Sequence, residues 1–152
     1  PDSGGYPMRA LRNDGFLLIR NFTPKRWPNG TPNHEKAFIK GAWYADTDNG
    51  PTKSYIIANK DKDEAHRKAY ELSFGFRPEL ELYDLAKDPG QLTNVAGNPE
   101  YADVLRKLSA QLEADLKQTG DPRALGTAKF DGYPYGGGAP KFPGQKKPKN
   151  KK

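Results

Sequence analysis

The sequence predicts an α+β fold in which a small antiparallel β-sheet carries a long C-terminal helix, with long irregular loops between the elements. Three observations predict it: a hairpin pattern over residues 6–21, an alternating strand pattern over 79–85, and an apolar helical stripe over 99–119. A helix with one apolar face is not stable alone in water. We therefore expect this helix to lie on the sheet.

The predicted hairpin has its turn at Asn13-Asp14-Gly15, because these residue types tolerate positive φ. The second strand, residues 16–21, is apolar on both faces, which predicts a central strand that is covered on both sides. Phe16 and Leu18 form one of these faces, and Leu17 and Ile19 form the other.

The middle of the chain predicts an irregular loop followed by two short helices. Residues 22–51 are punctuated by Pro and Gly, so we expect a long loop. Its aromatic residues, Trp27, Trp43 and Tyr44, would either stack on sugar rings or close a small core beneath the loop. The helices are predicted over 52–59 and 63–73. Their expected apolar faces are Tyr55, Ile56 and Ile57 in the first, and Ala65, Ala69 and Leu72 in the second.

The last two elements have the clearest patterns. Residues 79–85 alternate, which predicts a strand with Leu80 and Leu82 inward. The long helix is predicted from Asn98 as N-cap, with Pro99 at the first helical position, to Gly120 at the position after the C-cap. Its apolar stripe consists of Tyr101, Leu105, Leu108, Leu112 and Leu116.

The charge of the chain divides it into two parts. The formal net charge of the 152 residues is +6, yet six Lys and no acid lie in residues 141–152. The remaining 140 residues hold 19 basic and 19 acidic residues, so they are neutral. We expect a folded domain over 1–138 and a disordered Lys/Pro-rich tail over 139–152. The basic tail leaves open a stand-alone module that binds an anionic polymer, either a sulfated glycan or nucleic acid.

The sequence contains no complete active site. There is no Cys, which excludes disulfides, thiolate metal sites and a Cys nucleophile. His34 and His66 lack the spacing of a zinc-binding pair, and no phosphate-binding loop or Ser nucleophile motif is present. No apolar run is long enough to cross a membrane. The chain starts at Pro1 rather than Met, which favours a fragment of a longer protein.

Three basic residues are candidates for binding substrate in a site completed elsewhere. Arg9 and Arg12 lie on the first strand and near its turn, and Lys53 lies at the start of a short helix. A guanidinium group binds sulfate or carboxylate in a bidentate manner. The alternative is that these residues form structural ion pairs with the many Asp and Glu.

Several segments, in order, resemble the C-terminal subdomain of heparan N-sulfatase-like sulfatases of the arylsulfatase family, in their bacterial branch. Residues 6–12 (YPMRALR) with 16–22 (FLLIRNF) are similar to its start, and 81–94 (ELYDLAKDPGQLTN) is similar to the element before the last helix. The other matching segments are 26–30 (RWPNG), 50–53 (GPTK), 119–123 (TGDPR) and 130–135 (FDGYPY).

The resemblance implies a parent enzyme that hydrolyses sulfate esters or N-sulfates, with sulfated glycans as its substrates. Family members use a formylglycine, made in C-x-P-S-R or S-x-P-S-R, and a calcium ion, and neither motif occurs here. This chain alone is therefore expected to be inactive, with no catalytic or metal-binding residue of its own. It would complete the fold and one wall of the substrate pocket, with the catalytic domain as its partner. The resemblance further implies a periplasmic or secreted protein. No membrane partner is expected, and a nucleic-acid partner is disfavoured because the first 140 residues are neutral.

Overall fold

Three strands form one antiparallel sheet in the order β1-β2-β3, and a long helix follows them in the chain. The computed structural model describes residues 6–32, 44 and 47–128. In these residues the predicted α+β fold is confirmed. The elements are β1 (Met8–Arg12), β2 (Phe16–Asn21), α1 (Pro51–Asn59), α2 (Glu64–Phe74), β3 (Leu80–Asp84), a 3₁₀ turn (Pro99–Tyr101) and α3 (Ala102–Gln118).

The core lies between the sheet and α3. Leu18 of β2 is the cross-strand partner of Leu11 in β1 and of Leu82 in β3, so these three side chains form a row on one face. Leu18 and Leu82 are fully buried, and they pack against Leu108 and Leu112 of α3. We call this side of the sheet the α3 face. The prediction that the long helix packs on the sheet is confirmed.

The ends of the long helix follow from local chemistry. The Asn98 side chain accepts a hydrogen bond from the backbone N–H of Glu100 and so caps the 3₁₀ turn that precedes α3. At the other end, Gly120 has a φ of +73°, a conformation that favours glycine. There the N–H of Gly120 donates to the carbonyl of Lys117, and that of Asp121 donates to the carbonyl of Leu116. These two bonds form a Schellman motif.

The opposite side of the sheet, which we call the second face, carries the other side chains of the three strands. β2 is central, as predicted, but Leu17 and Ile19 are only half-buried on this face. Full burial on both sides is therefore not observed along β2: Leu18 is buried on the α3 face and Asn21 on the second face, whereas Phe16, Leu17 and Ile19 are half-buried. From β1 to β3 the second face consists of Met8, Ala10, Arg12, Leu17, Ile19, Asn21, Glu81 and Tyr83.

The predicted apolar faces of α1 and α2 were partly wrong. Tyr55 of α1 is 56% exposed. Ala65 and Ala69 of α2 are exposed as well. Instead, α2 turns Tyr70 and Phe74 inward onto Tyr44. Aromatic rings bury far more apolar area than an Ala methyl group, so they determine which side of the helix faces inward.

Some predictions fall on parts of the chain outside the described residues. These are the roles of His34 and Trp43, the closing segment 130–135, and the tail over 139–152.

Candidate functional site

A cavity of about 310 Å³ lies at the start of α1. Its lining combines polar side chains of the preceding loop with apolar side chains of α1 and α2, and it includes the predicted site residue Lys53. Gly50 is the N-cap of α1 and Pro51 its first residue, so no side chain caps this helix end. Asn29, Asp48, Thr52, Ser73 and Phe74 are further lining residues.

Lys53 anchors the loop to α1. Its Nζ donates to the carbonyl of Thr47 at 2.7 Å, to the carbonyl of Tyr44 at 3.1 Å and to Oδ1 of Asn49 at 3.2 Å. Three donated bonds use the donor capacity of an ammonium group. The geometry therefore gives Lys53 a structural role, and binding of substrate by Lys53 stays a prediction.

Arg9 forms an ion pair that joins β1 to the segment after α3. Its Nε and Nη2 both lie 2.7 Å from Oδ2 of Asp121, and its Nη1 donates to the carbonyl of Met8 at 2.8 Å. The sequence analysis gave a structural ion pair as the alternative to substrate binding by Arg9, and the structure contains such a pair. It explains why a charged side chain is tolerated next to the core on the α3 face.

Arg12 is exposed at the end of β1, directly before the hairpin turn. It lies on the second face, because residues 9 and 12 of a strand point to opposite sides. Lys53 belongs to α1, which packs on α2. Within the described ranges the three predicted site residues thus lie in three different surroundings, and no single cluster contains them.

A buried polar network on the second face was missed by the sequence reasoning. Glu81 is 6% exposed, and its carboxylate accepts hydrogen bonds from Nδ2 of Asn21 at 2.7 Å and from the hydroxyl of Tyr83 at 2.6 Å. Burial, together with the hydrogen bond to Glu81, raises the pKa of Tyr83. The alternation of residues 79–85 predicted only that Leu80 and Leu82 point inward, and it gave no signal that Glu81 and Tyr83 are buried on the opposite face.

The other polar residues of the 81–94 segment shape its turn. Oδ2 of Asp88 accepts hydrogen bonds from the N–H groups of Leu92 and Thr93, both at 2.7 Å. Asn94 accepts from the N–H of Leu82 at 2.9 Å and donates to the carbonyl of Leu80 at 3.2 Å. Asp88 and Asn94 therefore have an architectural role in this segment, because their side chains bind the chain's own backbone.

The remaining candidates also have structural contacts. Nδ1 of His66 lies 2.7 Å from Oδ1 of Asp63, and its Nε2 lies 3.1 Å from the hydroxyl of Tyr55. Tyr44 is buried against Phe74 of α2, and Trp27 stacks on Phe76 with ring centroids 3.8 Å apart. Across the residues that the structure describes, no group of three His, Cys, Asp or Glu is placed to hold a metal ion.

The Arg9–Asp121 ion pair predicts a pH dependence of stability. The hydrogen bond from Arg9 lowers the pKa of Asp121 below its ordinary value of 3.8. The stabilisation is therefore fully present above pH 3.8 and is lost as the pH falls through the lower pKa of the folded state. We expect Arg9→Met to be destabilising at pH 7 and to have less effect towards pH 2, as measured by urea unfolding.

The matched control is Arg106→Met, which removes an exposed ion pair with Asp103 inside α3. Exposed pairs contribute little to stability, so this variant is expected to unfold like the wild type. A destabilisation by Arg9→Met that is equal at pH 7 and pH 2 would show that the lost contact is not ionic.

Comparison with known proteins identifies partial relatives. No family model matches the chain. It is 29% identical over 118 residues to an ulvan-active sulfatase from Formosa agariphila, which covers 78% of this chain and 18% of that protein. It is also 29% identical over 118 residues to human N-sulphoglucosamine sulphohydrolase, which covers 77% of this chain and 21% of that protein.

A second ulvan-active sulfatase from Formosa agariphila is 27% identical over 120 residues. These matches cover 76% to 78% of this chain. The chain spans only about a fifth of the length of these relatives. No helix among the described residues is long and apolar enough to span a membrane.

Proposed function

We propose that this chain, a C-terminal part of a sulfatase, completes the fold of a parent enzyme that hydrolyses sulfate esters or N-sulfates of sulfated glycans. The observation that carries the proposal is the match to three sulfatases over about three quarters of the chain. The relatives' names mention ulvan and N-sulphoglucosamine, which supports polysaccharide or glycosaminoglycan substrates for the parent.

Catalysis would be carried out by the part of the parent that this chain does not contain. The residues present do not fit the family's formylglycine and calcium: the sequence has no Cys, no S-x-P-S-R motif, and no metal-binding cluster among the described residues. We therefore assign no catalytic step to this chain. Its expected partner is the catalytic domain of the same parent, in the periplasm or outside the cell.

Of the three predicted substrate-binding residues, Arg12 is the one that we propose as a contact, and substrate binding by Arg9 and Lys53 stays a prediction. Arg9 already binds Asp121, and Lys53 already donates to Tyr44, Thr47 and Asn49. Arg12 is exposed next to the hairpin turn, and its guanidinium can bind an anionic substrate without breaking a contact to another of the described residues. Its role would be to bind sulfate or carboxylate groups at the rim of the pocket.

The test is a comparison of the parent with the 152-residue chain. The coding sequence upstream should contain the formylglycine motif. The purified parent should release sulfate from a chromogenic aryl sulfate, whereas the chain alone should not exceed the buffer blank. Arg12→Ala in the parent should raise KM for a polymeric sulfated substrate and leave kcat for the aryl sulfate unchanged.

Two outcomes would contradict the proposal. A gene that encodes no formylglycine motif would favour the alternative of a stand-alone module for anionic polymers. That module should be retained on heparin, with binding that weakens steeply with salt and depends on residues 141–152. Sulfate release by the 152-residue chain itself would show that the catalytic groups lie within it.

A further inference from the structure

Two arginines lie side by side on the α3 face of the sheet. Arg9 of β1 and Arg20 of β2 are direct cross-strand partners, so their side chains project from the same face. Both residues are half-buried. Like charges directly opposite each other destabilise a sheet. This pair therefore weakens the fold unless anionic groups compensate its charge.

The carboxylate of Asp121 compensates Arg9. Its Oδ2 lies 2.7 Å from Nη2 of Arg9, and its Oδ1 accepts from the backbone N–H of Arg123 at 2.9 Å. Both carboxylate oxygens are thus engaged by other groups, and the charge of Arg20 needs a different partner.

Glu113 of α3 is the other carboxylate near this pair, and it binds Lys117. Its Oε1 accepts from Nζ of Lys117 at 2.7 Å. This hydrogen bond lowers the pKa of Glu113, and the nearby charge of Arg20 lowers it further. Within the described residues, no carboxylate forms an ion pair with Arg20. Arg20 is therefore a half-buried cation whose charge is only partly compensated.

The ring of Phe22 brings a second guanidinium group close to Arg20. The guanidinium carbon of Arg20 lies 5.1 Å from the ring centroid, and that of Arg123 lies 5.5 Å from it. Both distances are those of a cation–π interaction, which attracts a guanidinium group to an aromatic ring. Phe22 follows β2 directly, whereas Arg123 follows α3. The fold thus assembles this pair of guanidinium groups from distant segments of the chain.

We propose that Arg20 and Arg123, held by the ring of Phe22, bind a sulfate group of a sulfated glycan. A guanidinium group donates two parallel N–H bonds to two oxygens of one anion, which suits sulfate. The bound sulfate would also compensate the repulsion between Arg9 and Arg20. This inference rests on the proposed function for its ligand, and its site differs from that of Arg12, which lies on the second face.

A sulfated glycan fits this site better than a nucleic acid does. Nucleic-acid binding uses a basic stripe or patch that follows many phosphates. The first 140 residues hold 19 basic and 19 acidic residues, so the folded part has no overall positive charge. A local pair of arginines is sufficient for one sulfate group. In a polymeric substrate, such a second contact adds to the binding at the catalytic part.

NMR of the 152-residue chain tests the site directly, because each arginine Nε–H group gives its own signal. The probe is a heparin-derived tetrasaccharide, and an unsulfated oligosaccharide of the same length is the control. The signals of Arg20 and Arg123 should shift with the sulfated probe alone. The signal of Arg106, which is exposed on α3 and pairs with Asp103, should not shift. The basic residues of 141–152 are all Lys, so they give no signal in this spectrum.

Two substitutions at Arg20 separate bidentate binding from charge alone. Arg20→Gln should raise the Kd for the heparin tetrasaccharide at least about tenfold, because charge-assisted hydrogen bonds are the strong ones. Arg20→Lys keeps the charge without the planar fork, so it should restore only part of the affinity. Arg106→Gln is the matched control, since it removes the same charge from an exposed ion pair, and its Kd should stay within about twofold of the wild type.

The stability of the ligand-free chain gives a further measurement. Arg20→Gln removes the repulsion between the two cross-strand arginines, so its Tm should be no lower than that of the wild type. A Tm that is several degrees lower, together with an unchanged Kd, would show that Arg20 stabilises the fold and binds no anion.

The outcomes separate this inference from the proposed function. Equal shifts of the Arg20 signal with a single-stranded oligonucleotide of the same net charge would overturn the assignment to a glycan. An unchanged Kd for Arg20→Gln, in the chain of a parent that releases sulfate, would overturn this site and leave the sulfatase function intact. Binding of the tetrasaccharide at Arg20 in the product of a gene without the formylglycine motif would support this site and overturn the proposed function.

Discussion

Replacing Leu82 with Ala is expected to lower the free energy of unfolding of the chain by about 2–5 kcal/mol, measured by urea unfolding. Leu82 is fully buried and packs with Leu18 of β2 and Leu112 of α3. The substitution removes apolar burial and leaves a cavity at the junction of the sheet and the long helix. Domains of this size have a total stability of about 5–15 kcal/mol, so the loss is a large part of it.

Leu92→Ala is the matched control for this prediction. It makes the same chemical change at a side chain that is 54% exposed in the turn after β3. Its effect should stay within about 0.5 kcal/mol. Equal destabilisation by the two variants would mean that α3 does not pack on the row formed by Leu11, Leu18 and Leu82.

Replacing Glu81 with Leu is expected to lower the free energy of unfolding by about 2 kcal/mol or more, because it leaves buried donors without an acceptor. The Tyr83 hydroxyl and one donor of Asn21 bond to the Glu81 carboxylate. The other donor of Asn21 keeps its bond to the carbonyl of Pro78. The apolar replacement adds burial, but it cannot accept either hydrogen bond.

Two further variants identify the network as the cause. Glu79→Leu makes the same change at an exposed position two residues earlier, and it should have little effect. Tyr83→Phe removes the hydroxyl alone, so Glu81→Leu combined with Tyr83→Phe should cost less than the sum of the two single changes. Strict additivity in this cycle would contradict the coupling of Glu81 to Tyr83.

The accuracy of the sequence-based fold prediction depended on the strength of local signals. The place of the hairpin turn was predictable from Asn13-Asp14-Gly15, but the expected positive φ is absent, and Oδ1 of Asn13 instead holds the turn by accepting from the N–H groups of Gly15 and Phe16. The long helix α3 was predictable from its stripe, its N-terminal Pro99 and Gly120 after its end. The buried faces of α1 and α2 were not predictable, because apolar and small residues are mixed around these short helices and form no clear apolar stripe. Their orientation depends on Tyr44, which is remote in the sequence.

The candidate site was less predictable than the fold. Arg9, Arg12 and Lys53 were selected because they carry charge, and charge alone does not distinguish an anion-binding residue from one in an ion pair. Arg9 has Asp121 as its partner, 112 residues away, and the tertiary fold brings the two together. Lys53 donates to the backbone carbonyls of Tyr44 and Thr47. Every residue has a backbone carbonyl, so the sequence does not indicate which ones Lys53 contacts.

The sequence by itself determined the fold class, the positions of the strands and of the long helix, and the resemblance to sulfatases. All of these depend on short-range patterns of residue type, which can be recognised in the sequence alone. Only the tertiary structure decided that Glu81 is buried and hydrogen-bonded and that Arg9 is paired with Asp121. These properties depend on which distant residues meet in space, because Arg9 and Asp121 are 112 residues apart in the sequence, and Asn21 and Glu81 are 60 residues apart.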